Sequence, residues 1–212
     1  MPPKKQFYSI AESAVNGTYT AQLKIKRSVF TCHLSHAGSI AAAKEFISKI
    51  SKENKTATHN CWAYIVGDAG QIFHSSDAGE PSGTAGKPML NVLAAHNMTR
   101  VAAVVTREYG GVKLGIRGLI QAYSDVVTEA LSGAKKVRLI RVVQVKVRIP
   151  YGINEQFLHR ISGFDLKITH TDYGEQVIHE IMVQKDLVST FYHMLSQYEN
   201  QGLKVLWQTG KM

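Results

Sequence analysis

Two short runs of this sequence gather the residue types that handle anions and protons. The first, Gly79-Glu80-Pro81-Ser82-Gly83-Thr84-Ala85-Gly86-Lys87-Pro88, follows Asp77 and leads into an apolar helix. Backbone amides at a helix start, with a lysine nearby, bind anions. A nucleotide-hydrolysing P-loop is excluded: it needs four residues between its glycines and Ser or Thr after the lysine, whereas two residues separate Gly83 from Gly86 and Pro88 follows Lys87. The second run, from Arg107 through Gly110, Gly111, Lys113, Gly115 and Arg117 to Gly118, opens the most clearly periodic helix of the chain. The helix dipole favours negative charge there. No G-x-G-x-x-G is present, so no dinucleotide fingerprint. Gly83 to Gly86 and Gly115 to Gly118 each match the four-letter GXXG of nucleic-acid-clamping loops. Glycines that merely set turns account for either run equally well.

Proton chemistry has fewer candidates. His59 and Glu80 are the acid/base pair, with Asp77 and Arg107 beside them if the motif loops share one end of a sheet. Braced loops use the same residues, so catalysis is the weaker expectation. Cys61 shares a strand face with His59, yet a strand cysteine beside Trp62 and Ala63 reads as packed core. The histidines lack the close paired spacing of a metal site, and neither a metal nor another cofactor is expected.

These residues need elements to hold them. Tyr19, Ala21, Leu23 and Ile25 alternate with polar residues, which predicts a half-buried strand; a second follows over Val29 to Ser35. Ser39 caps a helix whose apolar stripe is Ile40, Ala43, Phe46, Ile47 and Ile50. Thr58 to Val66 and Gln71 to His74 form a hairpin, Ser75 to Pro88 a loop, Met89 to about His96 a short helix, and Val101 to Arg107 a strand. The long helix begins near Ile116, carries the apolar stripe Ile116, Leu119, Ile120, Tyr123, Val126, Val127, Ala130 and Leu131, and ends at Gly133. Lys135 to Arg141 reads as a junction, dividing the chain into domains 1–138 and 139–212. The second domain predicts strand, helix, strand, strand, helix, strand, with Asp186 capping its second helix. That order implies a ferredoxin-like βαββαβ sandwich, and the fold class is α+β. Its first and third strands, the central ones in that fold, lack Phe, Tyr and Trp, which disfavours stacking of RNA bases on the sheet.

The charge is uneven. Of the formal +9 in 212 residues, residues 1–138 carry +8 and the remainder +1. A surplus confined to one domain attracts polyanions such as RNA, a ribosome or an acidic protein, although it also serves solubility. Two cysteines make no disulfide framework, and no apolar run reaches membrane-span length, so a reducing, cytoplasmic setting fits.

Several long motifs occur together: Thr58-His59-Asn60-Cys61-Trp62-Ala63-Tyr64, Ser76 to Pro88, Val104 to Gly115, Gly118-Leu119-Ile120-Gln121-Ala122-Tyr123 and Lys26-Arg27-Ser28-Val29-Phe30. In that order they resemble the YigZ/IMPACT family, in its bacterial YigZ-like branch. The resemblance implies an IMPACT N-terminal domain with the fold of a ribosomal-protein domain and of elongation factor G domain IV. The second domain resembles the last domain of that factor. It also implies a role in translation, since eukaryotic IMPACT proteins regulate it. One departure is Ala78, where the family loop usually reads Asp-Asp-Gly-Glu-Pro. The expectation is a non-enzymatic protein that binds RNA, ribosome or a translation-associated protein through Lys87, Arg107, Lys113 and Arg117. Two alternatives stand beside it: a small-molecule or phosphoryl enzyme in the cleft between the glycine loops, and a protein-interaction module acting through the second domain. Oligomeric state is left open.

Overall fold

Alternating and helical apolar spacings account for most elements of the N-terminal part. In the computed structural model, which describes residues 6–11 and 18–209, the chain forms two compact units, Met1–Leu139 and Ile140–Met212. The charged residues of the N-terminus up to Lys5, and Gly17 at the start of the expected first strand, lie outside the described residues. The first unit runs β1 (Tyr8–Ile10), β2 (Thr18–Ile25), β3 (Ser28–His36), α1 (Ile40–Glu53), β4 (His59–Val66), β5 (Ile72–Ser76), α2 (Gly86–Ala95), β6 (Val101–Glu108), α3 (Gly115–Gly133) and β7 (Lys136–Arg138). Its main sheet is antiparallel, in the order β2-β3-β6-β4-β5.

Both faces of the sheet are covered at its middle strand, so β6 is a continuous apolar run from Val101 to Val105, whereas its neighbour β3 still alternates. Cys61, Ala63 and Ile65 of β4 pack with Val101, Ala103 and Val105 of β6 in the cluster that also holds Met89 and Leu93 of α2 and Tyr123, Val127 and Leu131 of α3. The intervening Tyr64, Val66 and Ala102 pack on the other face with Ala43, Phe46 and Ile47 of α1. The Ser39 hydroxyl accepts from the Ala42 N–H at 3.1 Å and caps α1 as its sequence requires.

Local spacing misjudged three places. α2 starts at Gly86 rather than Met89, because Pro88 falls in the first turn, where its missing N–H and fixed φ are tolerated. The Lys135 to Arg141 stretch is more than a junction: Lys136–Arg138 is strand β7, paired antiparallel with β1. In the second unit Asp186 lies in a 3-10 turn, Lys185–Leu187, and Leu187 occupies the position before the helix.

That second unit runs β8 (Val142–Ile149), α4 (Tyr151–Ile161), β9 (Leu166–Tyr173), β10 (Val177–Gln184), α5 (Val188–Glu199) and β11 (Lys204–Thr209). Its antiparallel sheet has the order β11-β8-β10-β9. Val145, Val147, Ile149, Ile181 and Val183 bury one face against Phe157, Phe191 and Leu195. His179 sits in that interior with its ring nitrogens satisfied, Nδ1 by Thr171 Oγ1 at 2.9 Å and Nε2 by Asn154 Oδ1 at 2.7 Å. The central strands are β8 and β10, which carry no Phe, Tyr or Trp.

Gly86 shows how tightly α2 abuts the sheet. A Cβ there would lie 2.8 Å from both the backbone N and the backbone C of Ser76. Replacing a helical glycine by alanine ordinarily gains about 1 kcal/mol. Gly86→Ala is expected to lower the thermal midpoint instead, and a rise in Tm would show that the approach is not that close.

Candidate functional site

Sheet register assembles the site. Phe30 of β3, Arg107 of β6 and His59 of β4 are direct cross-strand partners in one row, so all three side chains share a face. Arg107 has the parity of Val101, Ala103 and Val105, which points it inward, and it is only 5% exposed. Its charge is met by Glu80 from the first glycine loop, with Nη1 donating to Oε1 at 2.7 Å. Tyr123 of α3 donates its hydroxyl proton to the same oxygen at 2.8 Å. Nη2 reaches Ser28 Oγ at 3.4 Å, and the guanidinium carbon lies 5.3 Å from the ring centroids of both Phe30 and Tyr109.

His59 borders this pair. Its Nδ1 lies 2.9 Å from the Ala78 carbonyl oxygen, which can only accept, so Nδ1 carries the hydrogen. Nε2 faces Glu80 Oε2 at 3.9 Å, beyond hydrogen-bond distance. Ala78 itself has φ +45°, a left-handed conformation in which a short polar side chain such as Asp or Asn is more readily accommodated than alanine. Cys61 Sγ lies 2.9 Å from the Asp77 carbonyl oxygen and 3.3 Å from the Tyr123 hydroxyl. Burial pushes its thiol up to about 12 and raises the Tyr123 phenol as well, so Cys61 stays protonated and is no nucleophile.

His59, Glu80 and Arg107 line an open cleft of about 490 Å³ with Thr58, Pro81, Tyr109, Lys113, Leu114, Gly115, Ile116 and Leu119. The enzyme alternative requires that convergence. A second depression, about 530 Å³, lies between α2 and α3 and is lined by Gly83, Lys87, Ile120 and Ser124 among others. Of the expected anion contacts, Lys113 is thus exposed in the cleft, Lys87 in the groove, and Arg117 on the first turn of α3 outside both linings. Arg107, by contrast, is 5% exposed and lines the cleft as the interior partner of Glu80 rather than standing on the open surface.

The remaining loop residues are structural neighbours of the cleft. Asp77 fills the α2 N-terminus, its Oδ1 accepting from the N–H of Ala85 at 3.0 Å and Gly86 at 2.9 Å, and its Oδ2 from Gly83 at 2.8 Å. The amides expected to hold an external anion at the first loop are therefore already spent. Gly79 packs against His59, and Gly110 lies so close to Arg27 that a Cβ would come within 2.1 Å of its backbone. Gly111 has φ +83° over open space, and Gly118 abuts Leu114. Tyr123, Tyr109 and Ser28 were not singled out from sequence. A tyrosine in an otherwise apolar helical stripe was the available signal, since its buried hydroxyl demands a polar partner.

Comparison with known proteins places this arrangement. A family model described as the Impact N-terminal domain matches residues 26–131. The chain is 41% identical over 182 residues to the IMPACT family member YvyE of Bacillus subtilis, covering 84% of this chain and 82% of that one. The chain belongs to the IMPACT family. Another member, YigZ of Escherichia coli, is 33% identical over 192 residues, 86% of this chain and 91% of its own. A solved structure described as a hypothetical protein superposes with a TM-score of 0.63 at 31% identity, over 95% of this IMPACT chain and 97% of that one. Among the described residues no three His, Cys, Asp or Glu side chains are grouped to hold a metal ion, and no helix is long and apolar enough to cross a membrane.

In this IMPACT chain the Asp77 cap has a pH signature. Burial alone would raise its carboxyl, but the N–H groups of Gly83, Gly86 and Ala85 outweigh that and hold it below 3.8. A depressed folded value gives stability that is present above the unfolded value and lost as pH falls through the folded one. Asp77→Ala is therefore expected to cost about 1–2 kcal/mol at pH 7, with the deficit shrinking as pH falls below the ordinary carboxylate value of 3.8. Urea melts across that range check it, and a deficit independent of pH would contradict the cap.

Proposed function

We propose that this protein is a non-enzymatic binding factor acting in translation, whose N-terminal unit engages RNA of the ribosome or a translation-associated partner. The observation that carries the proposal is the placement of charge: nearly all of the surplus lies in this unit, and Lys87, Lys113 and Arg117 are exposed on or beside the two helices that line the cleft and the groove. Membership of the IMPACT family supports the translational setting, and the two-unit α+β architecture fits the ribosomal-protein or elongation factor G domain IV likeness for the first unit. The strand order of the second unit fits a ferredoxin-like sandwich. Its near-neutral charge and lack of Phe, Tyr or Trp on the central strands suit a packing or protein-binding role.

A second possibility is favoured by one observation, the convergence of His59, Glu80 and Arg107 in the cleft. Such a site supplies a proton acceptor at His59 Nε2 beside a carboxylate oxygen, which is acid/base chemistry on a small molecule. Against it, Glu80 Oε1 is committed to Arg107 and Tyr123, and the nearby thiol is inert.

Binding of purified protein to ribosomes and to single-stranded RNA should weaken with rising salt, because neutralised phosphates release counterions. Replacing Lys87 and Arg117 together by Ala should reduce the log–log salt slope by roughly 1–2, one phosphate contact or so per cation. Absence of binding at low salt, or a double variant with the parent's slope, would sink the proposal. Loss of small-molecule turnover on Glu80→Gln, with RNA binding intact, would favour the enzyme.

A further inference from the structure

We infer that the cleft takes the phosphate of a nucleotide, seated at the N-terminus of α3. This rests on the nucleic-acid reading of the N-terminal unit and names the part of the ligand that one pocket of it receives.

The three helices of this unit differ at their starts. α1 is closed by Ser39 and α2 by the carboxylate of Asp77, an anion supplied by the chain itself. α3, of 19 residues, has Leu114 at its cap position, no side-chain cap and no acidic residue in its first turn. Its leading N–H groups have no intrahelical acceptor, and the dipole there favours negative charge. Leu114, Gly115 and Ile116 of this end line the cleft.

Arg107 supplies the independent observation. It is 5% exposed and lines the same cleft, yet its Nε–H has no acceptor. A guanidinium carries five N–H groups, and buried donors are rarely left unpaired. Here two of its nitrogens reach Glu80 and Ser28, and the third, itself buried, has no acceptor among the described residues. Glu80 balances one positive charge, so Lys113 and the α3 terminus remain as surplus attraction for an anion. The cleft also offers an acceptor, Glu80 Oε2, which His59 Nε2 approaches only to 3.9 Å, beyond hydrogen-bond distance. A ligand with an anion at one end and a hydroxyl or N–H donor at the other satisfies both sets. Pro81, Leu114, Leu119 and the half-exposed ring of Tyr109 give the apolar wall that a ribose and base require. A volume of about 490 Å³ suits a mononucleotide better than a bare anion. The nucleotide is either free or the 5′ end of an RNA, since both present a phosphate monoester.

Calorimetric titration of the full chain with 5′-AMP, adenosine, and one short oligoribonucleotide carrying either a 5′-phosphate or a 5′-hydroxyl tests this. AMP is expected to bind at least about tenfold more tightly than adenosine, as charge-assisted bonds require. Tighter binding of the 5′-phosphorylated oligonucleotide than of AMP assigns the site to an RNA end; the reverse assigns it to a free nucleotide. Ile116 is 65% exposed, so Ile116→Asp places a carboxylate in the first turn of α3 without emptying the core. It should keep the parent's Tm and lose AMP affinity about tenfold or more, whereas Ile116→Asn should retain it. Equal binding of AMP and adenosine together with equal binding of the two oligonucleotides, or an Ile116→Asp variant that binds AMP like the parent, overturns the inference. If the 5′-hydroxyl oligonucleotide still binds in a salt-dependent way in that event, the surface reading survives and only the pocket falls.

Discussion

The buried pair of Glu80 and Arg107 organises the N-terminal unit. It joins a loop to the end of a central strand, and its other partners come from elsewhere: Tyr123 from α3, Ser28 from β3 and, at longer range, His59 from β4. Removing one member of a buried ion pair costs about 3–5 kcal/mol, because the survivor is left charged and unpaired. That is a large share of the stability of a domain this size. The loop that bears Glu80 is therefore held from the interior, and the cleft above it inherits a fixed floor. The edge-on contact of Phe30 with Tyr123, 5.2 Å between centroids, closes the apolar side of the same cluster.

Two glycine-rich loops with similar sequence character are put to opposite uses. In the first, Gly86 permits backbone contact with Ser76, and Asp77 turns back onto the amides of Gly83, Ala85 and Gly86, so the loop satisfies itself. In the second, Gly115 has φ +75° with nothing within 4 Å of a virtual Cβ, and α3 begins uncapped. The positive end of one helix is neutralised inside the protein and that of the other is presented to the cleft. Composition alone does not separate these cases, because the deciding group is a carboxylate nine residues ahead of the last amide it binds.

Elements specified by residues close in sequence were legible. The Ser39 cap and most of the α1 and α3 stripes rest on contacts within a turn or two and form, whereas Ile40, Ile116 and Ile120, toward the helix starts, are exposed. Elements specified by distant partners were not. β1 and β7 have three residues each, too few to show alternation, and exist because they pair across most of the unit. Arg107 looked like one more cation of a glycine cluster, although counting by twos from Val101 already turned it toward the core. His59, Glu80 and Arg107 could be grouped in advance only on the supposition that their loops share one end of a sheet. The strand order, with β6 between β3 and β4, meets that condition.

The same burial alters what the net charge means. Arg107 is neutralised by Glu80 in the interior, and Arg100 pairs with Asp68 at 2.6 Å on the surface. An exposed pair of that kind adds little stability, but it cancels locally the field either ion would project. Attraction toward a polyanion therefore falls to cations without such partners. With a screening length of about 8 Å in physiological salt, an anion near this unit would sense its immediate neighbourhood and not the sum over the domain. Of Lys87, Lys113 and Arg117, Lys113 is the one that lines the cleft beside the free end of α3. Charge and backbone polarity thus coincide at that helix start, whereas at the start of α2 Lys87 stands beside amides that Asp77 has already taken.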